Sequence, residues 1–262
     1  MNRADRLNAI LELLGESGRV EVETIMRELE VSAPTARRDL DALAGQQLLT
    51  RTRGGALSHS VAYDLPLRYK RARHGDAKAR IAAAASDLVR PGDVVGLSGG
   101  TTSTAIAAAL AARPDLMASG AQPSLTVVTN ALNIAVQLVV RPQIKTVVTG
   151  GVANPRSYEL VGPYSTSVLD QITVDLAFIG VNGVSPDVGG TVHDEREATI
   201  NALMAHRAAK AVIVADSSKI GRRAFATLGV PDAVRTLITD DGIADEQRAA
   251  FEERGFEVIV AR

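Results

Sequence analysis

Cysteine and tryptophan are absent from this chain, and aromatic residues make up only 3% of it. Without cysteine there can be no disulfide and no thiolate-bound zinc, a composition that suits a reducing compartment. With so few rings, the core of a chain that is 46% hydrophobic must be built from Ala, Val, Leu and Ile. No apolar run approaches the roughly 20 residues that a membrane helix needs. The opening Met1-Asn-Arg-Ala-Asp5 lacks the apolar stretch of a signal peptide, so a cytoplasmic location is expected. Excess charge of one sign is also missing: the formal net charge is −1. Binding to a polyanion therefore has to come from local clusters rather than from the whole chain. His59, His74, His193 and His206 show no metal-ligand spacing, and neither a metal nor a cofactor is expected.

At 262 residues the chain is long enough for two domains. Leu7, Ile10, Leu11 and Leu14 follow the spacing of an amphipathic helix that Gly15 to Gly18 punctuate. Ile25, Met26 and Leu29 suggest a second, short helix that breaks before Val31. A third begins at Ser32, a residue whose hydroxyl can accept from the free N–H groups of a first turn. Pro34 is tolerated in that turn, where a missing N–H costs little. Leu40 and Leu43 bury together, which leaves Thr35, Arg37 and Arg38 on other faces. Three short helices, the last two joined by a tight turn, match the helix-turn-helix order. Leu48, Leu49 and Thr50 read as a strand entering a Gly54-Gly55 turn, with Arg51 and Arg53 placed as a wing to meet phosphates.

An arginine fork fits guanine O6 and N7, and a threonine can touch a thymine methyl, so the third helix suits the major groove of double-stranded DNA. Residues 1–50 hold six arginines against nine acids, whereas residues 51–80 hold eight basic residues against Asp64 and Asp76. The positive field thus belongs to the third helix, the wing and the following segment. The basic run from Arg68 to Arg73 fits a solvated linker or an interdomain salt-bridge strip better than a direct DNA contact.

Periodicity lapses around Leu57 to Gly75. The expected organisation is a DNA-binding domain at 1–57, a linker at 58–75 and a second domain at 76–262. Beyond Asp76 the chain alternates short aliphatic runs with helical patterns. Candidate strands are Val94–Leu97, Leu125–Thr129, Thr146–Thr149, Leu176–Ile179, Ala211–Ala215, Thr236–Thr239 and Val258–Val260. Candidate helices include Thr102–Ala112, Ala131–Val139, Glu195–Ala209 and Ala244–Glu253. Such alternation predicts an α/β layer sandwich with a mainly parallel sheet flanked by helices.

Ligands of such sheets bind outside the carboxyl ends of the strands. Each of five successive strand ends carries a polar or glycine-rich loop. These are Ser98-Gly99-Gly100-Thr101-Thr102-Ser103, Thr129-Asn130, Gly150-Gly151, Gly180-Val181-Asn182-Gly183 (with Glu195 and Glu197 downstream) and Asp216-Ser217-Ser218-Lys219. The first leads straight into a helix, whose N–H groups and dipole favour an anion. No lysine follows its glycines at P-loop spacing, and no dinucleotide fingerprint is present. The expected ligand is a small phosphate ester. Ser98, Thr101, Thr102, Asn130, Asn182, Glu197 and Lys219 would suit a sugar phosphate.

Five of these segments together resemble the DeoR (DeoR/GlpR) family of bacterial transcription regulators. They are Ser-x-x-Thr-x-Arg-Arg-Asp-Leu at Ser32–Leu40, Arg-x-x-Gly-Gly-Ala at Arg51–Ala56, Gly100-Thr-Thr102, Thr129-Asn130 and Asp216-Ser-Ser-Lys219. The resemblance spans essentially the full length. It implies a winged helix-turn-helix joined to a sensor domain related to ribose-5-phosphate isomerase. It further implies a homo-oligomer, usually a repressor of carbohydrate catabolic genes, that binds operator DNA and is released by a phosphorylated sugar. Two departures stand out: Ala36 replaces a β-branched residue, and Ser98-Gly99 replaces the Asp-Ser that opens the phosphate loop in many relatives. The competing reading is an isomerase-like enzyme. Proton transfer between carbons needs a carboxylate base, and isomerases of similar fold carry Gly-Ala-Asp-Glu where this chain has Gly180-Val181-Asn182-Gly183. The lysine of their glycine-rich segment is likewise missing at Val188-Gly189-Gly190, which leaves Glu197 as a candidate base. A regulator without catalysis is the expectation.

Overall fold

The computed structural model describes residues 1–46, 48–57, 74–116, 123–229 and 233–262. His59 and the Arg68–Arg73 run lie outside the described residues. The chain divides into two compact units, Met1–Leu65 and Pro66–Arg262.

In the first unit, helix α1 (Arg3–Ser17) starts where the Asn2 side chain accepts the Asp5 N–H at 2.9 Å and ends at Gly18 in the left-handed region, φ 72°. A short strand β1 (Arg19–Glu21), helix α2 (Val22–Leu29) and helix α3 (Ala33–Gly45) follow. Strands β2 (Thr50–Arg51) and β3 (Gly55–Leu57) complete an antiparallel sheet in the order β1-β3-β2. Ile10, Leu11, Leu14, Ile25, Ala36, Leu40 and Leu43 are buried between the three helices. Leu48 and Leu49 are not strand residues. The Leu48 N–H turns back onto the Leu43 carbonyl at 3.0 Å, so both leucines close the exit of α3 and bury there. Strand β1 escapes any periodicity argument because two of its three residues are charged and exposed.

One buried charge organises this unit. Asp39, on α3, is 1% exposed. It is gripped by the Arg6 guanidinium of α1, whose Nη2 lies 3.3 Å from Asp39 Oδ1, while Arg3 Nε stands 3.8 Å away. The bonded carboxylate raises the already high Arg6 pKa. The pair fixes the angle between α1 and α3, because a buried carboxylate cannot move off its partner without an uncompensated charge.

The second unit holds a seven-stranded sheet in which every neighbouring pair is parallel. Its strands are β4 (Val94–Leu97), β5 (Leu125–Thr129), β6 (Ile144–Val148), β9 (Val174–Gly180), β12 (Ala208–Val214), β14 (Val234–Asp240) and β15 (Glu257–Ala261). Helices α4 (Gly75–Asp87), α5 (Thr101–Ala112) and α6 (Leu132–Leu138) cover one face through Ile81, Ile106, Leu110 and Ile134. Helices α7 (Pro163–Leu169), α8 (Glu195–His206) and α9 (Asp245–Glu253) cover the other through Leu169, Met204 and Phe251. Burial on both faces explains why the strands read as continuous aliphatic runs. All seven expected strands are present, several of them longer than the sequence suggested. Three small additions carried no usable pattern: hairpin β7 (Val152–Ala153) and β8 (Leu160–Val161), helix α7, and an antiparallel sheet of β10 (Gly183–Ser185), β11 (Gly189–Val192) and β13 (Ala226–Thr227). No helix among the described residues is long and apolar enough to cross a membrane.

Replacing Asp39 with Ala should cost about 3–5 kcal/mol by urea denaturation, because it strands Arg6 in a partly buried position. Replacing Arg37 with Ala should stay within about 0.5 kcal/mol of the parent. Equal, small effects for both substitutions would remove the Arg6–Asp39 pair from its structural role.

Candidate functional site

Helix α3 exposes Arg37 and Arg38 to solvent, with Thr35 half-buried beside them. Ser32 stands at the N-cap, but its hydroxyl bonds the Thr35 hydroxyl at 3.0 Å and no backbone N–H of the first turn. The expected serine cap is therefore corrected: Ser32 and Thr35 satisfy each other, and the turn keeps its outward-facing donors, which favour an anion. Arg51 and Gly55 also differ from expectation. The Arg51 guanidinium turns inward, from Nε to Asp41 Oδ1 at 2.7 Å and from Nη1 to the Gly55 carbonyl at 2.5 Å, tying the wing to α3. Gly55 is buried, and a Cβ there would collide with the Val20 carbonyl, so it lets β3 lie close against β1. Arg53 and Gly54 remain exposed at the wing tip.

In the second unit the sheet runs β15-β14-β12-β9-β4-β5-β6. The chain lays down β4, β5 and β6 in one direction, then returns to place β9 on the other side of β4. Open parallel sheets bind ligands at such a reversal, outside the carboxyl ends. Here the two loops flanking it are Ser98–Ser103 and Gly180–Gly183. Ser98 Oγ accepts the Gly180 N–H at 2.9 Å, and Ser103 Oγ donates to the Gly99 carbonyl at 3.2 Å. A Cβ on Gly180 would strike that same carbonyl. Gly100 adopts φ 112° as it hands the chain to α5, and Thr104 Oγ1 donates to its carbonyl at 2.7 Å. Thr101 is half-buried and Thr102 buried at the first turn.

Asn130 is wholly buried at the end of β5. It is not the cap of α6, a position held by Ala131. Its Nδ2 donates to Glu159 Oε2 at 2.9 Å and to Asn201 Oδ1 at 3.4 Å, and its own Oδ1 has no partner among the described residues. Asn182 Oδ1 accepts the His193 N–H at 3.2 Å and so shapes the loop after β9. Gly183 opens β10 beneath the Arg222 carbonyl, where a Cβ would not fit.

Four further expected members, Gly150, Gly151, Glu197 and Lys219, are engaged in local structure. Gly150 and Gly151, at φ 73° and 123°, form the tight entry to hairpin β7–β8, where a Cβ on Gly151 would strike Ser165 Oγ. The Glu197 carboxylate on α8 is 5% exposed and accepts Asn154 Nδ2 at 2.7 Å and Ser157 Oγ at 2.5 Å, fastening that hairpin to the helix. Asp194 caps α8, and Arg196 bonded to it holds its carboxyl below the usual range. Lys219 belongs to a single 3-10 turn, Ser217–Lys219, after β12. That strand neighbours β9, and the turn lies against the segment after the β9 loop, where Ile220 bridges to Val184 and the Gly221 N–H donates to the Val184 carbonyl at 2.8 Å. Burial alone would raise the Asp240 carboxyl beside this turn, but the Ser217 N–H and hydroxyl and the Gly242 N–H hold it low.

Sequence reasoning missed Lys78 and Glu159. Lys78, in the first turn of α4, is 6% exposed and lines a groove of about 270 Å³ with Thr101, Thr104 and Gln137. In the sequence it is one more basic residue in the 51–80 stretch. Glu159 sits in a two-residue-wide hairpin, and its bonded partner is 29 positions away in the chain.

Residues 6–61 match the family model of the DeoR-like helix-turn-helix domain, and residues 73–241 match that of the DeoR C terminal sensor domain. The chain belongs to the DeoR family. Among its relatives is the HTH-type transcriptional regulator GlpR of Haloferax volcanii, 32% identical over 98% of this chain and 97% of that protein. Another is the glycerol-3-phosphate regulon repressor of Escherichia coli K12, 29% identical over 92% of each. Ribose 5-phosphate isomerase A of Methanocaldococcus jannaschii covers 56% of this chain and 54% of its own at 21% identity and a TM-score of 0.41. A likeness at that level carries no inference about activity. Like other members of the DeoR family, this chain is a DNA-binding transcription regulator and not an enzyme.

The two wing arginines should behave differently on DNA from the region upstream of the chain's own gene. Arg53→Ala should lower the slope of log affinity against log salt by about one, as expected for a lost phosphate contact. Arg51→Met should weaken binding through a loosened wing while leaving that slope nearly unchanged. Identical salt slopes for both variants would contradict the inward role of Arg51.

Proposed function

We propose that this chain represses carbohydrate catabolic genes and that a phosphorylated sugar, bound at the carboxyl ends of β4, β5 and β9, releases it from its operator. In this reading two or more chains set their α3 helices in successive major grooves of a pseudo-palindromic or repeated site. Arg37 and Arg38 read bases, Ser32 and Thr35 touch the backbone at the helix N-terminus, and Arg53 with Gly54 meets a phosphate from the wing. The domain boundaries that go with this reading are 1–57, 58–75 and 76–262.

The observation that supports the sensor most directly is what gathers at the sheet reversal. The N-terminus of α5 opens there, beside Gly100, which has open space where a side chain would stand, and the buried Lys78 cation lines the adjoining groove. Backbone donors, a helix dipole and a lysine together suit a phosphate monoester. Asn130 and Asn182 offer amides to the hydroxyls of the same molecule. Release requires the ester to bind the non-DNA-binding arrangement more tightly than the DNA-binding one, and the difference in affinity sets the size of the response.

Fluorescence anisotropy on upstream DNA tests both halves. Arg37→Ala or Arg38→Ala should cost about 1–3 kcal/mol of operator affinity, with relaxed preference for sequence at the contacted base. A panel of sugar phosphates should contain at least one that weakens DNA binding, and Lys78→Met should raise the concentration needed about tenfold or more. A broad panel with no effect on DNA affinity would overturn the sensor half, and unaltered operator binding by both arginine variants would overturn the recognition half.

A further inference from the structure

Eight large apolar side chains of the second unit are exposed among the described residues, and six of them fall between positions 132 and 152. Leu132, Val136, Val139 and Val140 belong to α6 and the turn that ends it, at the spacing i, i+4, i+7 and i+8 of a single helix face. The three valines are between 67% and 71% exposed, whereas Ile134 and Leu138 of the same helix are buried against the sheet. The neighbouring helix fixes where this face looks. Asn133 Nδ2 donates to Thr104 Oγ1 of α5 at 2.8 Å, and Gln137 lines the groove shared with α5. With one side on the sheet and another on α5, the valine side looks away from α5 and past β6. That strand ends the sheet and pairs with β5 alone among the described residues. The Leu132 N–H donates to the Tyr158 carbonyl at 3.0 Å, which sets hairpin β7–β8 at the start of α6. Val148 at the end of β6 and Val152 in that hairpin extend the apolar surface.

Charge is missing from the same stretch. Between Asp115 and Arg156 the sequence carries only Arg141 and Lys145, in a chain that is 23% charged. Lys145 alternates along β6 with Ile144, which packs with Ile134 and Leu138, so Lys145 stands on the sheet face opposite α6. A neutral aliphatic surface gives an oppositely charged partner nothing to select, yet it meets its own copy without repulsion. Valine also has little rotamer freedom to lose on contact. We propose that α6 and the β6 edge form a two-fold interface between two copies of this chain, the α6 valines of one copy packing on those of the other. A standard interface takes about 800 Å² from each partner, some 20 to 30 residues. The exposed and half-buried positions from 132 to 153 supply more than half of the lower figure. The contact is thus of moderate size, and a pair of introduced charges is enough to undo it.

Sedimentation equilibrium of the full chain tests this without DNA or sugar phosphate, so its outcome is separate from that of the function proposed above. The wild-type chain should sediment at twice its monomer mass or a multiple of that. Val136→Glu combined with Val140→Glu should halve the mass at the same concentration, through a dissociation constant raised about a hundredfold or more. Both positions are exposed in the single chain, so the far-ultraviolet circular dichroism should be unchanged. Phe225→Glu alters an equally exposed apolar residue outside this face and should keep the wild-type mass. The chain has no cysteine, so Val136→Cys places a single thiol on the face. A short bismaleimide should link two copies through it, and should not link copies of Phe225→Cys. A monomeric wild-type chain overturns the proposal and leaves the face to another occupant, such as this chain's own residues 58–73. An oligomer that both glutamates leave intact, or that Phe225→Glu dissociates instead, overturns it by placing the contact elsewhere. If the double variant loses its dichroism, the cross-link decides, and no linkage at position 136 overturns the contact.

Discussion

The contact between Ser98 and Gly180 depends on a constraint that shapes the entire second unit: the sheet grows outward from β4 in both directions. Once β5 and β6 fill one side, β9 can join only on the other, and the two loops that leave β4 and β9 must diverge. Ser98 Oγ on the Gly180 N–H holds the edges of the resulting gap at a fixed width. Everything polar on that edge of the sheet is arranged around it. Thr129 Oγ1 bonds the Leu97 carbonyl at 2.7 Å, tying the end of β5 to the end of β4. Asn182 braces the β9 loop from the other side. The crevice is stiff because its walls are strand ends with full ladders behind them.

Much of this was legible in the sequence because the central strands are short, aliphatic and bounded by glycine, proline or polar turns. Val94–Leu97 and Leu125–Thr129 could be placed to the residue. What escaped detection was built on long-range pairing. Glu159 gives no local cue, since its bonded partner is an amide 29 positions earlier. Hairpin β7–β8 pairs only two residues a side, too few for alternation to register. Lys78 was hidden by composition, a buried cation amid residues of the same charge. Glu197 has a role in the fold that its sequence position does not announce. An acid near a glycine-rich loop reads as chemical, and here Asn154 and Ser157 of the β7–β8 hairpin donate to it.

The two units solve different problems with similar means. In the second unit, the buried carboxylates at 159 and 197 accept from the amides of Asn130 and Asn154 and from the Ser157 hydroxyl, which fastens hairpin β7–β8. In the winged unit, carboxylates at 39 and 41 are held by arginines, which locks helix to helix and wing to helix. Arginine clamps of this kind suit a unit that must arrive at DNA already shaped, because ordering a wing on contact would subtract from affinity.

The inward turn of Asp39 has a consequence for how this regulator can diversify. Within the run Arg37-Arg38-Asp39-Leu40, two residues hold the helix and two face out. No side-chain hydrogen bond or ion pair links Arg37 or Arg38 to Asp39 or Arg6 among the described residues, so substitutions at 37 and 38 leave the frame of the domain intact. A gene duplicate could acquire a new target site through one or two codon changes, while its fold is inherited whole.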